Sequence, residues 1–371
     1  MYYGLLCFII VALLLIGLTS YVLNLPVFGA APQGNRLQKI RNLPQYNDGA
    51  IQNLSPTPQL APGISYFDLL LSLLKKQPNK TPAHTLPHLK PDFSHTAIPK
   101  IIWFGHSSYL IQADGKSILV DPVFSKRTSP LSFMGNMNYP GTNFLSVNDF
   151  PELDVVLITH DHYDHMDYQT ILKLKAKTKL FITSLGAGAH LEKWGVNPDQ
   201  IVELSWDEQF RTADGFEFTA LPARHFTGRS FKRNQTLWSS FLLKTSSYKL
   251  YLGGDSGYDT HFKEIGSAHG PFDLAILECG QYNAYWPFIH MSPEETVQAA
   301  LDLKAQYLLP VHWGKFTLAL HPWNEPIIRA TAHAVIAGQP IVTPRLGESI
   351  LLDSYYPSEQ WWLDASNNTN S

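Results

Sequence analysis

The densest chemistry in the chain lies in one short stretch. Val155-Val156-Leu157-Ile158-Thr159 is an apolar run that leads directly into His160-Asp161-His162-Tyr163-Asp164-His165, three imidazoles and two carboxylates. A core strand does not end this way without cause, because clustered imidazoles and carboxylates cost desolvation energy unless they are paired or coordinated. Imidazole nitrogen and carboxylate oxygen are both ligands that zinc accepts. In an extended turn His160 and His162 project to one side, which leaves Asp164 and His165 to face a second ion. The H-x-H-x-D-H spacing therefore points to a metal site rather than an incidental polar loop.

Three further groups close apolar runs downstream. His225 ends Ala220-Leu221-Pro222-Ala223-Arg224-His225, and His312 ends Leu308-Leu309-Pro310-Val311-His312. Asp255 ends Tyr251-Leu252-Gly253-Gly254-Asp255, where two glycines permit close backbone approach. Each alone reads as a cap or a solvated surface group; together with the first cluster they complete two metal sites. Two adjoining zinc ions would lower the pKa of a shared water, making hydroxide available near neutral pH, and would polarise a phosphoryl or carbonyl oxygen. Iron or manganese could occupy similar ligands. The sequence contains neither a nucleophile elbow nor a phosphate-cradling P-loop to suggest another chemistry.

Such ligands need strands to hold them. Strands are predicted at Ile101–Phe104, Tyr109–Ala113, Ser117–Asp121, Val155–Thr159, Leu180–Thr183, Phe216–Ala223, Trp238–Leu243, Leu250–Gly253, Leu274–Leu277 and Tyr307–Val311. Asp114-Gly115 joins the second and third as a hairpin. Helices are predicted at Gly186–Trp194, Thr260–Ser267, Pro293–Leu303 and Pro326–Ala337, the third opened by Ser292-Pro293-Glu294-Glu295. Hairpins mixed with helices fit two sheets covered by helices and disfavour a doubly wound parallel sheet.

The motifs narrow further. Trp103-Phe104-Gly105-His106, Asp121-Pro122-Val123-Phe124-Ser125 with Ser129-Pro130, and the ligand segment continued to Met166-Asp167 follow one another in order. Gly254-Asp255-Ser256-Gly257-Tyr258, Gly270-Pro271-Phe272-Asp273-Leu274-Ala275, His290 before Pro293-Glu294-Glu295, and Val311-His312-Trp313-Gly314 come after them. Over roughly residues 100 to 350 this resembles the N-acyl-phosphatidylethanolamine-hydrolysing phospholipase D branch of the metallo-β-lactamase superfamily. The resemblance implies an α+β four-layer αββα sandwich holding two zinc ions per chain. By position, His160, His162 and His225 would hold one ion; Asp164, His165 and His312 would hold the other; Asp255 would bridge them. His290 matches a family histidine near the substrate phosphate, so Asp164, Asp255 and His290 are the implied catalytic residues. His106 would support the ligands without being one. The implied reaction releases N-acyl-ethanolamine and phosphatidic acid from a membrane phospholipid. Gly280–Trp286 keeps the family's Gly, Tyr and Trp spacing but differs between them, and Tyr282 and Trp286 are assigned to the substrate pocket. The same metals would also serve a lactonase or β-lactamase-like enzyme acting on carbonyl substrates. A non-catalytic, membrane-tethered binding protein is the remaining alternative, and the intact ligand set argues against it.

Composition limits the partners. With 28 basic and 31 acidic residues and no basic stripe, nucleic acid is not expected as a ligand. Cys7 sits in the apolar N-terminal run and Cys279 after a buried-looking strand, so neither a disulfide framework nor a cysteine zinc site is expected. The sequence does not define an oligomeric state. Residues 1–25 are read as an N-terminal transmembrane anchor, 26–99 as a Pro-rich linker with one amphipathic helix, 100–355 as the hydrolase domain and 356–371 as a C-terminal tail. In the linker, Ile64 to Lys76 carries helical spacing, read first as a helix docked on the main domain and second as one lying at a membrane surface.

The anchor competes with a signal peptide cleaved near Gly29-Ala30-Ala31. No side-chain charge precedes the apolar run, and the first basic residues, Arg36, Lys39 and Arg41, follow it. This favours a retained anchor with the catalytic domain on the cytoplasmic side. A reporter active only in the periplasm, fused to the C-terminus, is expected to stay silent; activity would overturn the orientation.

Overall fold

The computed structural model describes residues 2–75 and 77–367. Lys76, at the end of the predicted linker helix, and the last four residues of the predicted tail lie outside the described residues. The chain begins with helix α1 (Tyr2–Leu23), 22 residues without a charged or a buried side chain, long and apolar enough to cross a membrane. The segment after it is bound to the main body. Trp194 Nε1 donates to Pro26 O (2.7 Å), Lys193 Nζ to Gly29 O (2.6 Å) and Arg229 Nη2 to Val27 O (2.9 Å).

The linker holds more structure than its composition suggested. It contains α2 (Gly34–Arg41), a short hairpin of β1 (Tyr46–Asn47) and β2 (Ala50–Ile51), and α3 (Tyr66–Leu74). Ile40 and Ile51 are buried with Leu185, Leu237 and Trp238, so this arm is fastened by apolar contacts to residues far away in sequence. Helix α3 starts with a capping box between Ser65 and Asp68. The expectation that it docks on the main domain does not hold. Only Ser72 is buried, while Tyr66, Phe67, Leu70, Leu71, Leu73 and Leu74 are exposed.

Strands follow from apolar residues on both faces. The larger sheet contains β3 (Lys100–Trp103), β4 (Tyr109–Ala113), β5 (Lys116–Val120), β6 (Leu153–Ile158), β7 (Thr178–Ser184), β8 (Ile201–Leu204) and β15 (Ser349–Leu351), in the order β15-β3-β4-β5-β6-β7-β8. The second contains β9 (Gln209–Arg211), β10 (Glu217–Leu221), β11 (Ser240–Lys244), β12 (Lys249–Leu252), β13 (Phe272–Glu278) and β14 (Ala305–Val311), in the order β14-β13-β12-β11-β10-β9. In β6, Val155 and Leu157 face the other sheet; Val156 and Ile158 face helices α4 (Tyr168–Leu174) and α5 (Gly188–Lys193). On the far side of the second sheet, Tyr251, Ala275 and Leu308 meet α6 (His261–Ala268), α7 (Pro293–Asp302) and α8 (Glu325–Ala337). These are the four expected αββα layers. Sequence pattern misses α4, β8, β9 and β15, which are too short to show a period.

The C-terminal segment is also more than a tail. Helix α9 (Trp361–Asn367) places Trp361 and Trp362 in the core between the sheets, with Trp361 stacked on Trp313 at 5.3 Å. Trp313 follows His312, so α9 braces a strand end that carries a site residue. Trp362 is fully buried, and Trp362→Ala is expected to cost about 3–5 kcal/mol. The shift of the urea midpoint measures this; an unchanged midpoint would remove α9 from the core.

Candidate metal centre

The ends of both sheets converge here. His160 follows β6, His225 follows β10, Asp255 follows β12 and His312 follows β14; His106 follows β3. The backbone is held in unusual conformations at this junction. His106 (φ 54°) and His312 (φ 66°) are left-handed, at a cost of about 1–3 kcal/mol each that surrounding contacts must offset. His106 N donates to Trp313 O (2.8 Å) and His312 N to His106 O (2.9 Å), which ties the two sheets together at this point. At Gly254 (φ 60°) a Cβ would lie 2.9 Å from the Thr159 side chain, so the glycine lets Asp255 approach the His160 strand.

The predicted ligands form overlapping groups. His160 Nε2 lies 2.9 Å from His162 Nδ1, and His225 Nε2 lies 3.2 Å from the same atom. Asp255 Oδ2 lies 3.1 Å from His165 Nε2, 3.7 Å from His225 Nε2 and 3.9 Å from His160 Nε2, and its Oδ1 lies 3.2 Å from His312 Nδ1. It therefore touches both sets. Asp164 Oδ2 lies 2.9 Å from His106 Nε2 and 3.7 Å from His165 Nε2. The ligand atoms of His160, His162 and His225 fall within 4.8 Å of one another, as do those of His106, Asp164, His165 and His312. His106 thus stands at ligand distance as well as supporting Asp164. Buried Asp255 Oδ1 and His312 Nε2 have no hydrogen-bond partner within the protein. Unpartnered buried acceptors facing an all His and carboxylate donor set fit divalent metal ions.

The other ring nitrogens are held in turn. Asp121 Oδ2 contacts His165 Nδ1 at 2.7 Å, Ile289 O contacts His225 Nδ1 at 2.8 Å, Thr159 Oγ1 contacts His160 Nδ1 at 3.0 Å and Ser107 Oγ contacts His312 Nδ1 at 2.9 Å. His290 Nδ1 lies 2.8 Å from Glu278 Oε2, and its ring stacks against His312 with centroids 5.3 Å apart. The fifth potential ligand of the first cluster, Asp161, points away: it accepts from Gly228 N (2.8 Å) and Thr236 Oγ1 (2.9 Å) and pairs with His190. Tyr282 is committed elsewhere, with its hydroxyl donating to Glu325 (2.5 Å) and accepting from Arg329, and its ring stacked on His321. Trp286 Nε1 donates to Gln281 O (2.8 Å).

Two functional contributors gain their roles only in the structure. Asp121 could have been found as an acid at a strand end, like Asp255. Asn53, on the arm, accepts from His225 N (3.0 Å) and donates to His225 O (2.8 Å), and nothing local to it announces a partner 172 residues away.

Protonation follows burial and charge. Burial pushes His162 down to about 4 and holds His160, His225 and His312 well below the usual imidazole range. Their nitrogens are free for a metal at neutral pH. Burial would also lower His165, but Asp255, Asp121 and Asp164 outweigh it and hold it well above that range. Burial pushes Asp255 up to about 6, against the opposing charge of His165.

Comparison with known proteins agrees with this geometry. The family model of the beta-lactamase superfamily domain matches residues 116–313. An uncharacterised protein of Mycobacterium tuberculosis is 39% identical over 331 residues, covering 86% of this chain and 87% of its own. The N-acyl-phosphatidylethanolamine-hydrolyzing phospholipase D 1 of Caenorhabditis elegans is 32% identical over 230 residues, 58% of this chain and 64% of its own. A solved metallo hydrolase from the archaeon Ignicoccus hospitalis shares the fold, with a TM-score of 0.52 and 21% identity over 69% of this chain and 99% of its own.

Since Asp255, Asp121 and Asp164 hold His165 well above the usual imidazole range, metal binding at His165 is expected to displace a proton. Metal affinity is therefore expected to rise with pH, with a net release of protons on binding. Calorimetry in two buffers of different protonation enthalpy measures the release, and proton uptake would contradict it. A match to the family model over residues 116–313, on a four-layer fold with convergent histidines and aspartates, makes this chain a member of the metallo-β-lactamase superfamily.

Proposed function

We propose that the protein is a binuclear zinc hydrolase of phospholipase D type, cleaving the phosphodiester of N-acyl-phosphatidylethanolamine or a related membrane phospholipid. The observation that carries this reading is the contact of Asp255 with both ligand groups, since one carboxylate within reach of His160, His165, His225 and His312 is what two adjacent ions need. His160, His162 and His225 would hold one ion, and Asp164, His165 and His312 the other. Once bound, such ions supply hydroxide near neutral pH and stabilise charge on the phosphoryl oxygens.

The chain's own residues do the positioning. Asp255 fixes the spacing between the two ligand groups. Asp164, held by His106, orients the attacking group. His290, held through Nδ1 by Glu278, offers its other nitrogen to the phosphate. Tyr282 and Trp286 would border the substrate pocket. Likeness to the nematode phospholipase D supports a lipid substrate, as does α1, which would anchor the enzyme beside its substrate with the catalytic domain on the cytoplasmic side.

Purified protein loaded with zinc is expected to release N-acyl-ethanolamine and phosphatidic acid from N-acyl-phosphatidylethanolamine vesicles, identified by mass. Turnover of an acyl lactone alone would replace this reading with carbonyl hydrolysis. Asp255→Asn should lower zinc content and turnover together, turnover by at least about 100-fold, the upper range seen when a metal site loses support. Full activity in that variant would refute the bridging role.

A further inference from the structure

We propose that the last turns of α1 form one wall of an acyl-chain entry groove, through which a lipid of the bilayer that α1 crosses reaches the metal centre from the side. This rests on the lipid-hydrolase reading above and goes beyond it, because it gives the anchor a part in substrate binding.

The groove has a volume of about 530 Å³, inside the range of ligand sites, roughly 300–1,000 Å³. Leu18, Val22 and Leu23 of α1 line one side, and Tyr163, Phe226 and Phe231 line the other. The inner end abuts the loop of candidate ligands, because Phe226 of its wall packs edge-on against His162 with ring centroids 4.5 Å apart, and Tyr163 is the residue between His162 and Asp164 in that loop. The outer end lies along a helix with no buried residue. An apolar groove therefore runs from a membrane-length helix to side chains packed against a candidate metal ligand.

The wall is fixed in place. Arg229, itself buried, donates to Asp161 O (2.7 Å) and Met166 O (2.8 Å) on one side and to Val27 O (2.9 Å) on the other. One guanidinium thus binds the loop that carries His162, Asp164 and His165 to the residues just past α1. Trp194 holds Pro26, and the backbone N of Ala30 donates to His190, which pairs with Asp161. The exit of α1 is held at the metal loop.

The rim suits a membrane. Phe231 is 84% exposed at the mouth, an unusual position for phenylalanine in water. Arg233 lines the groove, lies over the Phe226 ring and bonds Gln59, which also accepts from the Tyr66 hydroxyl at the start of α3. The start of α3 is therefore tied to the groove's mouth through Gln59, and Lys232 and Arg233 set cationic groups there for lipid phosphates. The occupant is an acyl chain of a phospholipid in the same bilayer.

The test places the full-length protein in phospholipid vesicles that contain a phosphatidylethanolamine with a photoactivatable diazirine on its acyl chain. After irradiation, adducts are mapped by mass. Adducts are expected on Leu18–Leu23 and on Phe226–Arg233 in the same molecules. Val22→Glu in the last turn of α1 should reduce adducts on Phe226–Arg233 by about tenfold or more, as expected for a carboxylate placed in an apolar groove, and Phe231→Glu at the exposed mouth should lower them too. Adducts confined to α1, or unchanged by both substitutions, would overturn the groove. Labelling of the groove without hydrolysis of N-acyl-phosphatidylethanolamine would support the groove and remove the phosphodiesterase reading. Hydrolysis without groove adducts would do the reverse.

Discussion

Imidazole nitrogens facing one another at 2.9 and 3.2 Å, beside buried carboxylates, are the constraint from which the rest of the structure follows. Neutral imidazole lone pairs repel at such distances unless one ring donates a proton, and burial resists the charged alternative. A divalent cation between the rings removes the conflict, turning mutually repelling acceptors into ligands of one charge. Asp255 Oδ1 and His312 Nε2 make no hydrogen bond within the protein, which suits them to such a charge. The left-handed turns at His106 and His312 and the crowded glycine at Gly254 are local costs borne to bring these atoms together.

Local strain of this kind persists only on a rigid support, and the four layers supply one. Each strand that ends in a candidate ligand is buried on both faces, so its end cannot drift without disturbing a core. The two sheets are joined at the site itself by backbone hydrogen bonds between His106, His312 and Trp313, and α9 clamps Trp313 from behind. Beyond the strands, Asp161 and Arg229 pin the loop between the ligands. The acid that looked like a fifth ligand serves as the anchor for the other four.

What the sequence revealed depended on how far apart the interacting residues stand. His160 to His165 could be read because five functional groups share one turn. His225, Asp255 and His312 could be read because each ends an apolar strand, which limits where its side chain can go. Asn53 and Arg229 could not, since their roles consist of contacts with residues 172 and 68 positions away. Helix α3 shows the limit of periodicity: spacing says that an apolar face exists, and only the fold shows that no part of the described chain covers it. Trp361 and Trp362 read as tail because seven residues are too few to show a helical period. Arg36, counted toward the orientation of the anchor, is held by Glu192 and Glu203, so part of that positive charge is already neutralised by the protein.

The metal ligands alone do not select a substrate. The same two groups joined by an aspartate would serve a lactone as well as a phosphodiester, because polarising an oxygen and supplying a nucleophile are common to both. Selection has to come from what surrounds the ions, and here the surroundings are asymmetric. The polar contacts of Tyr282 with Glu325 and Arg329 are already satisfied within the protein. Beside the ligand loop lies an apolar groove walled by a helix of membrane length, with Arg233 in its lining. A small soluble ester gains little from such a groove. A lipid would bury its chain there with its phosphate toward the candidate ligands, and would not have to leave the bilayer to do so.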